Sequence, residues 1–105
     1  LRSFIPDTKA IFLFGSILTK EKSAGDVDVC FILRDAKDYG KLQSGVGEMN
    51  RKNRLKIHPL YLTEGEFEKK LKEKDKPLID AVRTCVVAHG QELFVRVLKN
   101  VQSRE

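Results

Sequence analysis

Asp26 and Asp28 are the residues whose types and spacing most directly suggest chemistry. On a β-strand, side chains at positions i and i+2 project from the same face, roughly 7 Å apart at the backbone. Mg²⁺ prefers oxygen ligands and usually takes one or two carboxylates, leaving its other positions to water and phosphate oxygens. The pair therefore predicts a site for a hard divalent cation.

Gly15 and Ser16 lie upstream of this pair, where an apolar run ends. A glycine at such a turn lets backbone N–H groups approach a phosphate closely, and the serine hydroxyl adds a further donor. Each half has an ordinary alternative, since Gly-Ser is a common turn and an acidic pair at a strand start is a common exposed pair. Together they predict a site for a metal ion and a nucleotide.

Three strands are expected to position these residues. Residues 10–14 form a continuous apolar run, which predicts a first strand buried on both faces. Residues 26–33 alternate in polarity and predict a second strand, with the acidic pair at its start. Residues 55–62 predict a third strand, which Pro59 restricts to an edge or an end of the sheet.

Helices are expected in the second half of the chain. Thr63 and Glu66 form a capping box, which predicts a helix over residues 64–74. Asp75 is expected to cap a second helix, whose apolar stripe runs on to Val86 before Gly90 breaks it. A third amphipathic stripe follows from residue 93 to 101. Residues 34–50, with their glycines and few large apolar side chains, predict a loop with at most one weak helical turn.

Composition limits the class of protein. A chain of 105 residues, 41% hydrophobic and 33% charged, predicts one globular domain over residues 1–105 and argues against disorder. No apolar run approaches the roughly 20 residues of a membrane-spanning helix. Two cysteines cannot build a secreted disulfide scaffold, and no signal-peptide pattern opens the chain, so a reducing, cytoplasmic setting is expected. The net charge of +5 leaves a nucleic acid or a nucleotide open as a polyanionic partner.

The Gly15-Ser16 turn, followed by Asp26-x-Asp28 at the start of the next strand, resembles the signature of the DNA polymerase beta-type nucleotidyltransferase superfamily, particularly its minimal nucleotidyltransferases. Residues 57–67 and 86–94 are similar to later segments of small prokaryotic members. The resemblance is specific at residues 11–33 and loose elsewhere. It implies an α+β fold with a mixed β-sheet flanked by helices, here without the helix that usually precedes the first strand.

The resemblance also implies roles for the site residues. Gly15 and Ser16 would hold the triphosphate of an NTP, with ATP the expected donor. Asp26 and Asp28 would be the catalytic residues and would ligate two Mg²⁺ ions, for which Mn²⁺ could substitute. The activity would be transfer of an NMP group to a hydroxyl on a protein, small molecule or nucleic acid. Minimal members often accompany a helical partner of the HEPN toxin type, so an antitoxin acting on such a partner is implied.

Two departures from the family pattern support an alternative. Lys20 stands near the place where the family often has an arginine beside the phosphates, and its point charge lacks the guanidinium fork. Lys56 falls where active members commonly add a third carboxylate from the next strand, with His58 on the same face. A catalytically inactive nucleotide-binding or regulatory module on the same fold is therefore the second hypothesis.

Three further features have weaker functional interpretations. The Gly45-x-Gly47 pair is superficially similar to a dinucleotide fingerprint but is better explained by loop flexibility. Cys30 and Cys85 lack metal-ligand spacing and are expected to be small core residues. A basic cluster could contact the phosphates of an RNA or could be a solvated approach to an edge strand, and these interpretations stay open. This basic cluster comprises Arg51, Lys52, Arg54 and Lys56.

Overall fold

The computed structural model describes residues 2–14, 26–54 and 56–102, and its regular elements are β-strands, α-helices and short 3₁₀ helices. The strands are β1 (Thr8–Phe14), β2 (Asp26–Leu33), β3 (Lys56–Thr63) and β4 (Val86–His89). The α-helices are α1 (Tyr39–Lys52), α2 (Glu64–Lys72), α3 (Lys76–Thr84) and α4 (Gln91–Gln102). Short 3₁₀ helices precede β1 and α1, at Arg2–Asp7 and Ala36–Asp38.

The described strands form a four-stranded mixed sheet in the order β3-β2-β1-β4. β1 runs antiparallel to both of its neighbours, β2 and β4, whereas β2 and β3 are parallel. The expected α+β class with a mixed sheet and flanking helices is therefore confirmed. β3, which contains Pro59, lies at an edge of the sheet as predicted, since proline cannot donate to a ladder.

Helices cover both faces of the sheet because the strands are apolar on both sides. On one face, Phe12 and Ile32 belong to a buried cluster with Phe67 of α2, Leu78 of α3 and Val97 of α4. On the other face, a second buried cluster joins apolar side chains of β1, β2 and β3 to α1 and the first 3₁₀ helix. Its buried members are Phe4, Ile11, Val27, Val29, Phe31, Leu33, Leu42, Val46 and Ile57.

Local capping sets where α2 and α3 begin. The Thr63 hydroxyl accepts a hydrogen bond from the Glu66 N–H at 3.1 Å, and the Glu66 carboxylate accepts one from the Thr63 N–H at 2.9 Å. Asp75 accepts a hydrogen bond from the Leu78 N–H at 3.1 Å and so caps α3. Both predicted helix starts are confirmed, because these interactions depend only on residues close in sequence.

The prediction of a loop over residues 34–50 is wrong, because α1 occupies most of that stretch. Leu42 and Val46 are buried and Met49 packs beside them, so a narrow apolar stripe is enough to bind this helix to the sheet. Gly45 meets Phe4 so closely that a Cβ there would lie 2.9 Å from the ring. Gly45 therefore allows α1 to pack closely against Phe4, and it does not serve the loop flexibility that was predicted for it.

The predicted continuation of the second helix to Val86 is also wrong. α3 ends at Thr84, and Val86–His89 forms β4, which pairs with β1. A stretch as short as Val86–His89 fits a strand or a helix equally well by its sequence pattern, so only the pairing with β1 decides. Gly90 follows with φ of +83°, and a Cβ there would lie 2.3 Å from the Lys9 carbonyl oxygen. Glycine is therefore required where the chain leaves β4 for α4.

Candidate functional site

The candidate site lies where the carboxyl end of β1 meets the amino ends of β2 and β3. The antiparallel β1–β2 ladder pairs Phe14 with Asp28. The parallel β2–β3 ladder pairs Asp28 with His58 and Asp26 with Lys56. Strand pairing therefore brings the predicted acidic pair beside the two basic residues that open β3.

Asp28 presents its carboxylate to solvent from this end of the sheet. Its side chain is 35% exposed, and its Oδ1 lies 3.7 Å from Nδ1 of His58. That distance suits an ion pair when the imidazole is protonated but is too long for a hydrogen bond. The carboxylate is therefore accessible to a cation and has the imidazole of His58 beside it.

Lys56 lies opposite Asp26 in the register, but its ammonium is bound by the end of α1. Nζ donates hydrogen bonds to the carbonyl oxygens of Asn50 at 2.6 Å and Asn53 at 2.7 Å. The carboxyl end of a helix carries partial negative charge, so it stabilises this cation. Lys56 thus has a structural role at the position where the family resemblance led us to look for a third carboxylate.

Asn50 is a positioning residue that sequence reasoning missed. Its side-chain amide donates to the Ile57 carbonyl at 3.0 Å and accepts from the Ile57 N–H at 2.7 Å. This pair of hydrogen bonds joins α1 to the start of β3, beside Lys56 and His58. An asparagine inside a segment that looked like a loop offered no indication of this contact, since its partner comes from a different element.

The other predicted site residues are described only in part. Gly15 and Ser16 lie outside the described residues, and Asp26 is described for its backbone position in β2 alone. Among the side chains that the structure describes, no three His, Cys, Asp or Glu residues come together as a metal site. Of the four predicted site residues, Asp28 is therefore the one whose side-chain contacts the structure describes.

A mainly apolar groove adjoins Asp28 on the same face of the sheet. Phe14, the cross-strand partner of Asp28, and Leu60 of β3 form its floor, and α3 forms a wall. The groove has a volume of about 280 Å³. Lys70 and Asp75, whose charged groups are 3.6 Å apart, stand among its lining residues. Its mainly apolar lining suits a weakly polar group.

The weaker candidates are explained by structure. Cys30 is fully buried, so the prediction that it is a core residue is confirmed, and burial raises the pKa of its thiol far above the ordinary value. Gly45 and Gly47 lie inside α1 and form no phosphate loop. In the basic cluster, Arg51 and Lys52 both pair with Glu48 of the same helix. This one carboxylate therefore balances part of the positive charge of the cluster.

The chain matches no family model, no curated protein and no solved structure. Its function is therefore inferred from the chemistry and geometry of the site. None of the helices in the described part of the chain is long and apolar enough to cross a membrane.

Proposed function

We propose that this domain is a minimal nucleotidyltransferase of the polymerase beta type, which moves an NMP group from an NTP, with ATP the preferred donor, to a hydroxyl acceptor. The observation that carries the proposal is the partly exposed carboxylate of Asp28 at the junction of β1, β2 and β3. The proposal is also supported by the sequence, since Gly15 and Ser16 follow Phe14, the cross-strand partner of Asp28, and have the residue types of a phosphate-binding turn.

In this proposal each residue has a separate task. Gly15 and Ser16 bind the triphosphate, while Asp26 and Asp28 hold two Mg²⁺ ions, or Mn²⁺ in their place. The accessible carboxylate of Asp28 is a ligand of the type that these hard cations prefer. When bound, the metal supplies charge neutralisation for attack of the hydroxyl on the α-phosphate and departure of pyrophosphate. The groove lined by Phe14 and Leu60 would accept the base.

The proposal also includes the acceptor of the NMP group and the cellular setting of the reaction. The preferred acceptor is a hydroxyl on a partner protein. If this domain is an antitoxin, the family resemblance implies that its partner is a helical protein of the HEPN type. A nucleic-acid acceptor is less favoured, because three side chains of the basic cluster, those of Arg51, Lys52 and Lys56, already have partners within the chain. A reducing, cytoplasmic setting is consistent with the two free cysteines.

Binding at the proposed site can be tested by thermal unfolding with NTP and Mg²⁺ or Mn²⁺. A ligand at about 100 times its Kd stabilises the folded state by about 2.7 kcal/mol, and each kcal/mol raises Tm by about 4–8 °C for a domain of this size. The double variant Asp26→Asn with Asp28→Asn should lose the increase, whereas Asp38→Asn, a carboxylate at the start of α1, should keep it. An unchanged increase in the double variant would remove the proposed site.

A second candidate is a catalytically inactive nucleotide-binding or regulatory module. It is favoured by the β2–β3 register, which sets Lys56 and His58 opposite the two aspartates. An extra cation opposite the acidic pair weakens binding of divalent metal ions. Incubation with α-labelled NTP and a partner protein separates the candidates, because the enzyme transfers label and the inactive module binds without transfer.

The influence of Lys56 on the metal site can be measured directly. Lys56→Gln should tighten Mn²⁺ binding by about two- to threefold, because it removes the positive charge of the residue that pairs with Asp26, a charge held at the end of α1 and partly screened by solvent. Lys52→Gln is the matched control, since Lys52 pairs with Glu48 on α1. Titration by calorimetry at constant salt would give both affinities. Equal affinities in the two variants would argue against a metal site opposite Lys56.

A further inference from the structure

The outer side of α4 carries an exposed groove that is separate from the candidate site. Leu93 and Val97 turn inward and are buried, whereas Val95 is 49% exposed on the outer side. The groove has a volume of about 530 Å³ and a mainly apolar lining. Its lining residues are Gln91, Glu92, Val95, Arg96, Lys99 and Asn100.

These lining residues form complementary pairs about the midpoint between Val95 and Arg96. Glu92 and Lys99 stand at equal distances on either side of that point, about two helical turns apart and therefore on one face of the helix. Gln91 and Asn100 are placed in the same way. If a second α4 lay antiparallel across the groove, each Glu92 would face the Lys99 of the other copy. A two-fold interface requires this kind of self-complementarity.

Arg96 is suited to the centre of such an interface because its guanidinium already has a partner within its own chain. Its guanidinium donates to the Glu64 carboxylate at 2.8 Å, and Lys9 also bonds Glu64 at 3.2 Å. The hydrogen bond from Arg96 is the main cause that lowers the pKa of Glu64. Val95 and Arg96 both line the groove, so with its head group held by Glu64 the aliphatic stem of Arg96 can extend the apolar centre.

We propose that two copies of this chain associate through an antiparallel, two-fold pairing of α4. Val95 and the stem of Arg96 form the centre, and the reciprocal Glu92–Lys99 pairs close the two ends. The contact is one helix of 12 residues on each side. Such an area is below that of a standard stable interface, so the association is weak, with a Kd on the order of 10–100 μM. This inference does not depend on the proposed catalytic function.

Sedimentation velocity over protein concentrations from about 10 μM to about 1 mM measures this association, since the range spans the expected Kd. The wild-type chain should shift from monomer to dimer as its concentration rises. Glu92→Lys alone and Lys99→Glu alone should each raise the Kd by about tenfold or more, because each places two like-charged pairs in the interface. Glu73→Lys, a reversal at the exposed end of α2, should leave the Kd unchanged.

Mixing the two single variants is the decisive arm of the experiment. In a mixed dimer, the lysine introduced in the first variant faces the glutamate introduced in the second, and the unchanged Glu92 and Lys99 face each other at the opposite end. An equimolar mixture should therefore recover a Kd within about threefold of the wild type, although each variant alone associates much more weakly. Far-UV circular dichroism verifies that both variants are folded. A monomeric wild type at every concentration, or a mixture of folded variants that stays monomeric, would overturn the proposal.

Discussion

Tyr61 buries its hydroxyl oxygen without a hydrogen-bond partner among the described residues. Its ring stacks on Phe31 with centroids 5.6 Å apart and meets Tyr39 edge-on at 5.0 Å. Burial is the main cause that raises the pKa of this phenol, and Tyr39 adds to it. An unpartnered buried hydroxyl costs about 1–3 kcal/mol in lost hydration. The ring contacts of Tyr61 therefore stabilise the fold, whereas its hydroxyl oxygen does not.

Tyr61→Phe should therefore raise the free energy of unfolding by up to about 1 kcal/mol, because it keeps the ring contacts and removes the unpartnered oxygen. Urea unfolding followed by circular dichroism would measure the change. Tyr39→Phe is the matched control, since Tyr39 is 43% exposed and should give no change beyond about 0.5 kcal/mol. A loss of stability in Tyr61→Phe would mean that the hydroxyl has a stabilising partner.

At the scale of secondary-structure elements, α1 depends on tertiary contacts more than on its own sequence. It contains Gly40, Gly45 and Gly47, each of which lowers helix propensity. Leu42 and Val46 nevertheless hold it against the sheet, and Lys56 and Asn50 fasten its carboxyl end to β3. The helix forms because packing outweighs propensity, which is why composition predicted a loop there.

Gly45→Ala and Gly47→Ala should have opposite effects on stability. A Cβ at Gly47 meets no atom within 4 Å, so alanine there should stabilise the domain by about 0.5–1 kcal/mol through helix propensity. A Cβ at Gly45 would lie 2.9 Å from the buried ring of Phe4. That clash should cancel the gain and reduce stability by about 1–3 kcal/mol.

Chemical denaturation of both glycine variants checks this contrast. The two positions lie in the same helix, so a difference between them reports the Phe4 contact and not a general effect of alanine. A stabilised Gly45→Ala, or equal changes at the two positions, would show that Phe4 moves aside without cost.

At the scale of the whole molecule, the sheet is shared by two apolar layers. Phe12 of β1 meets Phe67 of α2 at 5.4 Å and Phe94 of α4 at 5.3 Å between ring centroids. On the other face, Phe31 of β2 meets Phe4 at 5.4 Å. Because β1 and β2 contribute side chains to both layers, unfolding of these strands in one layer would also expose the apolar side chains of the other layer. We therefore expect both layers to unfold together.

Val97→Ala tests this coupling. Val97 lies in the layer that contains α4, whereas both tyrosines of the chain, Tyr39 and Tyr61, lie on the α1 side. The substitution should reduce stability by about 2 kcal/mol through the lost methyl groups and the cavity left behind. Tyrosine fluorescence and circular dichroism should report the same lowered midpoint in urea. A midpoint that falls by circular dichroism while the fluorescence midpoint stays constant would mean that the layers unfold separately.

The sequence by itself determined the features that depend on neighbours along the chain. The span of β2, the capping box at Thr63, the Asp75 cap and the edge position of the Pro59 strand all follow from interactions or restrictions within a few residues. The Asp26-x-Asp28 pair was found in the same way. Short-range hydrogen bonds and side-chain alternation need no knowledge of the fold.

The tertiary structure alone decided the features that depend on partners far along the chain. α1 is a helix because the sheet buries its narrow apolar stripe, and β4 is a strand because β1 pairs with it. The position of His58 beside Asp28 follows from the parallel register of β2 and β3. The groove beside that carboxylate requires α3 to pack over the sheet. In each case the deciding free energy comes from burial or strand pairing between segments that are distant in sequence. A local sequence pattern does not predict such contacts.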